Sequence, residues 1–397
     1  MLGLSSRAMQ IAPSATMQLT AIVADMTRSG IDVVKLNLGE PDFDTPHNIV
    51  EACKRALDDG KTRYTTVSGV AELREAICDK LKKDNGVLYS EKNISFGTGA
   101  KQPLFNTLFV TVDPGDEVII PSPCWVSYVE MVKLCGGVPV IVPCLEADGF
   151  SLDLEAIEKA VTGRTKAIII NTPNNPTGAV YTEEALRKLA AMALKHGFYI
   201  ISDEVYEKLI YDGEKHFCIA SISDDVKEIS FIVNGFSKAY AMTGWRAGYV
   251  AGPAAAIAKI NNVQGHTTTN ACTFVQWACV EALRGPQRAL AEMVAEFDKR
   301  RKYLVCALND LGFESKMPKG AFYVMPNVSP LYGKSYGGTM IKNSNDAAEF
   351  MLREAQIAVV PGAAFCAPDN VRVAYSNSLE NIKKAMSRLG NAIAKLG

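Results

Sequence analysis

A lysine and an arginine lie close together in the middle of the chain, in a segment that could carry amine chemistry. Lys238 follows the apolar run Ile229–Asn234, and Arg246 comes eight residues after the lysine. If the run is a buried strand, Lys238 emerges at its carboxyl end, where open α/β sheets bind ligands. Partial desolvation by Phe236 and Tyr240 would make its amine a better nucleophile towards a carbonyl carbon. A solvated surface lysine is the alternative, and this motif alone favours it.

Two further polar segments also follow predicted strands. Asp203 ends the apolar run Phe198–Asp203, and a carboxylate there can hold a proton on a heteroaromatic nitrogen. Tyr206, three residues on, can reach the same ligand, although a helix N-cap would explain Asp203 equally well. Asn175 lies in a turn, residues 171–178, that contains two prolines and a glycine. Its amide can donate a hydrogen bond to a ligand, or the turn simply redirects the chain.

A glycine-containing turn and an aromatic residue complete the set of candidates. Gly99, Ala100 and Lys101 precede a predicted helix, and N–H groups at a helix N-terminus bind phosphate. Position 102 is glutamine, so the turn does not match the dinucleotide-binding pattern G-x-G-x-x-G. Trp125 follows another predicted strand. An amine, a carboxylate, an amide, a phosphate cradle and an aromatic ring together predict a site for pyridoxal phosphate (PLP).

Short β-branched runs alternate with helical patterns along the first two thirds of the chain. This alternation predicts right-handed crossovers and a mostly parallel sheet, the α/β class. The last run follows a connection too short for a long helix, so we expect it to be antiparallel. The predicted strands are Asn93–Thr98, Glu117–Ile120, Val138–Val142, Lys166–Asn171, Phe198–Asp203, Ile229–Asn234 and Gly248–Ala251. A helix at Gln287–Leu311 then leads into an α+β region, Ser315–Gly397. Its predicted strands are Ala321–Met325, Ala358–Val360 and Val371–Tyr375.

Composition excludes several classes of function. The net charge is −1, which disfavours a nucleic acid partner. The ten cysteines contain no C-x-x-C pair and the four histidines form no metal signature, so we expect a reducing compartment, the cytoplasm, and no metal. No apolar run approaches the roughly 18 residues of a membrane span. A secretory signal is not expected at the N-terminus, although a short transit peptide is not excluded.

Six motifs in order resemble the class I, fold-type I PLP-dependent aminotransferases, and more closely the bacterial-type aspartate/prephenate aminotransferases. The resemblance extends from about Pro13 to Leu389. The motifs are Asn37-Leu-Gly39-Glu-Pro-Asp-Phe, Tyr64, Asn-Asn175-Pro-Thr-Gly, Asp203-Glu-Val-Tyr206, Ser237-Lys238 with Arg246, and Val-Arg372-Val. The resemblance implies a large domain with a seven-stranded, mostly parallel sheet and a smaller α+β domain built from both termini. The implied divisions are an N-terminal arm with part of the small domain, residues 1–48; the PLP-binding domain, 49–285; and a linking helix with the C-terminal small domain, 286–397.

The resemblance also implies a role for each candidate residue. Lys238 forms a Schiff base with the cofactor and shuttles a proton, and Asp203 pairs with the ring nitrogen. Asn175 and Tyr206 bind the phenolic oxygen of the cofactor ring, and Trp125 stacks on the ring. The phosphate is held by Gly99, Ala100, Ser237 and Arg246, with Tyr64 reaching across to the neighbouring subunit of a homodimer. Arg372 binds the α-carboxylate of the substrate, which Gly39 contacts through its backbone.

Two positions bear on substrate choice and on phosphate binding. Gly235 stands where the animal-type enzymes have a serine, so one phosphate hydroxyl is missing. Lys101 matches the bacterial-type branch, which uses this lysine with a threonine near the N-terminus, here Thr16, to favour dicarboxylic substrates. Alternatively, Lys101 only neutralises the phosphate and Thr16 is an ordinary helix cap.

The leading functional hypothesis is transamination between aspartate and 2-oxoglutarate, with prephenate left open as a further substrate. The alternatives are a broad aromatic or alanine-type aminotransferase, or a PLP lyase on the same scaffold. These enzymes share Lys238, Asp203 and Arg372, so only the side-chain pocket discriminates among them. A regulatory protein that kept the fold but lost catalysis is disfavoured, because the chain has no spare DNA-binding module.

Overall fold

The computed structural model describes residues 3–13 and 15–397, with the backbone alone at residues 6, 7, 15 and 16. Its strands are short near the N-terminus and in the C-terminal part, and longer in the middle of the chain. They are β1 Val34–Lys35, β2 Ile94–Thr98, β3 Glu117–Ser122, β4 Val138–Pro143, β5 Thr165–Asn171, β6 Tyr199–Asp203, β7 Ser230–Gly235, β8 Ala247–Ala251, β9 Tyr323–Val324, β10 Ser335–Tyr336, β11 Thr339–Met340, β12 Ile357–Ala358, β13 Val360–Pro361 and β14 Val371–Ala374.

Helices connect most of these strands. They are α1 Ser6–Met9, α2 Ala15–Arg28, α3 His47–Asp58, α4 Ala71–Asn85, α5 Lys101–Thr111, α6 Ser127–Leu134, α7 Leu154–Ala160, α8 Glu183–His196, α9 Asp224–Lys227, α10 Ala254–Thr267, α11 Thr273–Arg284, α12 Arg288–Asp310, α13 Ser344–Ala355 and α14 Leu379–Ile393. Local residues set both ends of α8. The Thr182 side chain accepts a hydrogen bond from the Ala185 N–H at the start of the helix, and Gly197 ends the helix with φ +75°.

Seven strands form one sheet in the order β2-β8-β7-β6-β5-β3-β4. All neighbours are parallel except β8, which is antiparallel to both β2 and β7, as its short connection predicts. The strands are apolar because both sheet faces are covered, with β5 contributing Ile169 to one buried cluster and Ile168 to another. The predicted α/β class and the seven strand positions are confirmed.

The C-terminal part has its own core, which includes residues from the N-terminal segment. Val34 and Leu36 pack in one cluster with residues of α12, α13 and α14. β1 pairs with β12, whereas β13, β14 and β9 form a separate antiparallel sheet. The single strand expected at residues 358–360 is therefore wrong, because the chain changes partner between Ala358 and Val360. The strand expected at 321–325 is shorter, β9. The domain boundaries at 48/49 and 285/286 stay a prediction that this shared core supports.

None of the helices in residues 3–13 and 15–397 is long and apolar enough to cross a membrane.

Candidate active site

A cavity of about 420 Å³ opens at the carboxyl edge of the sheet. The loops after β3, β5, β6 and β7 meet there, which is where the ligand site of an open α/β sheet is expected. Most of the predicted site residues contribute to its wall. They are Gly39, Ala100, Lys101, Trp125, Asn175, Asp203, Tyr206, Ser237, Lys238, Arg246 and Arg372.

Lys238 is positioned by the turn that follows β7. Its Nζ donates a hydrogen bond to the carbonyl oxygen of Gly39 and lies 5.7 Å from the ring centroids of both Tyr206 and Phe322. Burial, and then the positive charge of Arg372, lower the pKa of Lys238 to about 8. Lys238 is therefore not a freely solvated lysine, and a larger fraction of its amine is uncharged near neutral pH than in an ordinary lysine.

Asp203 ends β6 and is only 5% exposed. Tyr128 donates a hydrogen bond to its Oδ2 at 2.6 Å, and the Val205 N–H donates to its Oδ1 at 3.3 Å. Burial raises the pKa of Asp203 to about 6, although the Tyr128 hydrogen bond opposes that effect. A carboxylate in this setting gains from a cationic partner, such as a protonated ring nitrogen.

Arg372, on β14, is a buried cation that is 3% exposed. Its Nη1 donates to Oδ1 of Asn175 at 3.0 Å and its Nη2 to the Asn37 carbonyl at 2.8 Å. Its Nε has no hydrogen-bond partner. Across residues 3–13 and 15–397 no carboxylate forms an ion pair with it, and its plane lies against Tyr323 and Phe365, 4.5 and 4.9 Å from their ring centroids. A buried guanidinium without an anion is costly, so this arrangement favours an anionic ligand.

The turn between β2 and α5 forms a cradle beside Arg246. Gly99 has φ +72°, and a Cβ at this position would collide with the Arg246 guanidinium. Arg246 itself has φ +55° and donates from Nη1 to the Thr243 carbonyl at 3.1 Å. Among the described residues, no side chain caps the N-terminus of α5 at Ala100, which lines the cavity together with Arg246. The combination suits a phosphate group.

Lys101 begins α5, directly after Ala100 of the cradle, and lines the same cavity. Its Nζ is 4.6 Å from the centroid of the Trp125 ring and 3.4 Å from Oγ of Ser127. Burial, and then Arg246, lower the pKa of Lys101. Helix α2 contributes Met17 to the cavity wall, whereas the side chain of Thr16 lies outside the described residues. The role expected for Thr16 stays a prediction.

Tyr64 does not lie in the cavity of this subunit. Its side chain is 88% exposed, and it is not among the residues that form the wall. The expected contact with the phosphate requires a second subunit. It stays a prediction.

Sequence reasoning did not identify two tyrosines of the site. Tyr128 lies one helical turn after Trp125, and the two rings meet edge to face with centroids 5.4 Å apart. Tyr323, on β9, shares a 3.0 Å hydrogen bond with the hydroxyl of Tyr206. The i, i+3 spacing from Trp125 is a signal that could have identified Tyr128. No local pattern marks Tyr323, because its partner is far away in the sequence.

A buried cluster of charged residues, Glu204, Glu207, His216 and Lys80, includes the residue that directly follows Asp203. Glu204 accepts a hydrogen bond from Ser202 at 2.9 Å and contacts Nε2 of His216 at 2.8 Å. Glu207 forms an ion pair with Lys80. Although burial opposes it, the two carboxylates raise the pKa of His216. The three possible metal ligands, Glu204, Glu207 and His216, thus already have charged partners, and we interpret the cluster as a support for the loop after β6.

Comparison with known proteins identifies the family. Residues 31–389 match the family model described as aminotransferase class I and II. The chain belongs to the class I and II aminotransferase family. It is 46% identical to a probable aspartate/prephenate aminotransferase of Thermus aquaticus, over 99% of this chain and 100% of that protein.

Solved aminotransferase structures extend this comparison. An aspartate aminotransferase from Thermus thermophilus with maleate has a TM-score of 0.94 at 44% identity and covers 99% of this chain and 100% of its own. An aromatic aminotransferase from Pyrococcus horikoshii has a TM-score of 0.88 at 42% identity, over 94% of this chain and 99% of its own. The fold-type I architecture predicted from the motifs is confirmed.

This aminotransferase family is PLP-dependent, and the cavity has the groups that PLP requires. The lysine with a lowered pKa and the buried Asp203 are both present, and the cradle of Gly99 and Arg246 suits the phosphate. Gly235 removes one hydroxyl from that cradle, as noted from the sequence. Ser237 lies in the wall as well and supplies a hydroxyl of its own.

Proposed function

We propose that this aminotransferase transfers the amino group of aspartate to 2-oxoglutarate. The observation that carries the proposal is the buried Arg372, which has no carboxylate partner among the described residues and whose Nε is unbonded. A second cation, Lys101, lines the same cavity. With Arg246 assigned to the phosphate and Lys238 to the cofactor, Arg372 and Lys101 suit a substrate with two carboxylates.

Each residue of the cavity has a separate role in the proposed reaction. PLP, when bound, supplies an electron sink that makes the Cα proton of an amino acid removable. The amine of Lys238, in its uncharged form, would take that proton and return it, and its lowered pKa increases the uncharged fraction near neutral pH. Asp203 would hold a proton on the ring nitrogen, and Asn175 and Tyr206 would bind the phenolic oxygen. Trp125 would stack on the ring.

Arg372 orients the substrate. Its planar guanidinium can grip the α-carboxylate through two parallel hydrogen bonds, which a lysine could not reproduce. Gly39 contributes its backbone beside this carboxylate, and a Cβ there would lie 2.8 Å from the Tyr323 hydroxyl. Lys101, with Thr16 from α2, would bind the distal carboxylate.

We further propose that the enzyme is a homodimer of the cytoplasm. Tyr64 is a large aromatic residue exposed on this subunit, as a residue that completes a neighbouring site would be. All ten cysteines are free thiols, which suits a reducing compartment.

Steady-state assays with a panel of amino donors test the substrate assignment. We expect kcat/KM to be highest for aspartate and glutamate, with 2-oxoglutarate and oxaloacetate as acceptors, and lower for alanine and phenylalanine. The resemblance to a solved aromatic aminotransferase makes phenylalanine the informative competitor. A higher kcat/KM for phenylalanine than for aspartate would overturn the dicarboxylate assignment. Prephenate is measured as an acceptor in the same series.

A further inference from the structure

Two cysteines from distant parts of the chain meet beside the active-site cavity. Cys124 directly precedes Trp125 in the loop after β3, and Cys366 ends the short helical turn Gly362–Phe365 before β14. The Cys124 N–H donates a hydrogen bond to the Phe365 carbonyl at 3.1 Å. This bond holds the backbones of the two segments side by side, and the Cys124 and Cys366 thiols are themselves within hydrogen-bonding reach of each other.

The two thiols differ in access and in acidity. Cys366 is exposed, whereas Cys124 is buried. A hydrogen bond between the thiols lowers the pKa of Cys366 to about 7, and raises that of Cys124. Cys366 is therefore the thiol that a reagent in solution reaches first, and it is the more acidic of the two.

The backbone at Cys366 is a second, independent observation. Its φ is +62°, in the left-handed region that non-glycine residues seldom adopt. A residue held in this conformation costs free energy that glycine would avoid, and such positions cluster at functional sites. The conformation places a strained cysteine, rather than glycine, next to Phe365, whose ring packs on Arg372.

We propose that Cys124 and Cys366 form a redox-active thiol pair that reacts with low-molecular-weight disulfides and closes into an intramolecular disulfide. The Cys366 thiolate attacks one sulfur of the small disulfide, forming a mixed disulfide and releasing one small thiolate. Cys124 loses its proton and attacks the Cys366 sulfur, which releases the second small thiolate. The two cysteines are oxidised by two electrons, and the small disulfide is reduced to two thiols.

The product would tie together two segments of the active site. One carries Trp125, which stands in the cavity wall, and the other carries Phe365, which packs on the guanidinium of Arg372. Cytosolic disulfides are typically transient and redox-sensing, so a reversible pair fits the expected compartment. This chemistry does not depend on the transamination proposed above.

Cys144 is the competing partner, because it is buried close enough to Cys124 to influence its pKa. Burial raises the pKa of Cys144. Cys144 therefore lacks both the access and the acidity that start the exchange, which leaves Cys366 as the entry point.

The test treats the full-length holoenzyme with oxidised glutathione, blocks remaining thiols by alkylation, and maps disulfides by mass spectrometry without reduction. Wild type and Cys144→Ser should both yield a peptide pair that joins Cys124 to Cys366, and dithiothreitol should remove it. Cys306→Ser, which alters an exposed cysteine elsewhere, should behave as wild type. Cys366→Gly, which suits the left-handed backbone, should leave Cys124 as a free thiol.

Three results would overturn the proposal. One is a stable glutathione adduct on Cys366 with Cys124 still free. Another is a link between Cys124 and Cys144 in the wild-type protein. The third is a disulfide between two subunits in place of the intramolecular one.

Discussion

The amine of Lys238 lies among two guanidinium groups and two carboxylates, and the cations outweigh the anions. Burial is the largest influence on its pKa, followed by Arg372, while Glu40 and Asp203 partly oppose them. Only the uncharged amine can attack the carbonyl carbon of PLP. The rate at which the cofactor-free protein takes up PLP should therefore rise with pH through the pKa of about 8.

Removing the charge of Arg372 should move this pH profile. Arg372→Leu takes away a nearby cation that disfavours the ammonium form, so the apparent pKa of Lys238 should rise towards its ordinary value. Stopped-flow measurement of PLP uptake between pH 6 and 10 would be compared with Arg164→Leu, which removes an arginine paired with Glu117 at the far end of the strands. An unchanged midpoint in Arg372→Leu would contradict the electrostatic account.

Lys101 should decide how well the enzyme distinguishes dicarboxylates from other amino acids. A desolvated charge-assisted contact contributes roughly 1.5–3 kcal/mol, so Lys101→Ala should lower kcat/KM for aspartate about 10- to 200-fold. Alanine and phenylalanine lack the distal carboxylate and should lose much less. Equal losses for every donor would instead assign Lys101 to the cofactor phosphate. Thr16→Ala, measured in the same way, tests the accompanying hydroxyl.

At the scale of helices and strands, the features that could be predicted are those set by the local sequence, namely the positions of the strands and the direction of β8. The alternation of apolar runs and helices predicts all seven strands of the large sheet, and the short connection to β8 predicts its reversal. The break between β12 and β13 was not predictable, since it depends on which distant strand each one pairs with. The same holds for Tyr323, whose hydrogen bond to Tyr206 joins segments that no spacing relates.

The residues of the candidate site also separate into those that the local sequence predicts and those that depend on distant parts of the chain. Residues at strand ends, such as Asp203 and Lys238, could be predicted because a parallel sheet brings its carboxyl ends together. The unbonded Nε of Arg372 could not, because it depends on packing against Tyr323 and Phe365. The role of Tyr64 depends on a second subunit, which a single chain does not supply.

Substrate binding should bring the C-terminal region towards the sheet. Arg372 comes from β14 and Gly39 from the N-terminal segment, whereas Lys238 and Asp203 come from the large sheet, so one ligand contacts both regions. The expected hinges lie near residues 47–48 and 285–286, where Asn48 Nδ2 donates to Oε1 of Glu281 at 2.8 Å. Closure would exclude water from the reacting carbon.

Crystal structures of the holoenzyme with and without maleate would measure this closure. We expect residues 286–397 to rotate relative to residues 49–285 when the dicarboxylate is bound. Identical orientations in both structures, in a crystal form whose contacts leave the C-terminal region free, would contradict it.

At the scale of the whole molecule, we expect two subunits with shared active sites. Closed two-fold assembly is the commonest arrangement of soluble oligomers, and it would bring Tyr64 of each subunit to the other's phosphate. Analytical ultracentrifugation should show a dimer. Mixing Lys238→Ala with an inactive Tyr64→Ala variant should restore part of the activity, because some hybrid dimers contain one intact site.

A control makes the mixing experiment decisive. Subunit exchange is established with differently tagged copies of the same two variants. No recovery of activity despite proven exchange would contradict a shared site.

The central claim is that the cavity performs transamination at Lys238, and a single turnover tests it most directly. The holoenzyme is mixed with an excess of aspartate and no amino acceptor, and the products are quantified. We predict one oxaloacetate per active site, an amino group retained on the cofactor, and no product from Lys238→Ala. Continued turnover with release of ammonia or fumarate, or equal product from Lys238→Ala, would contradict the account.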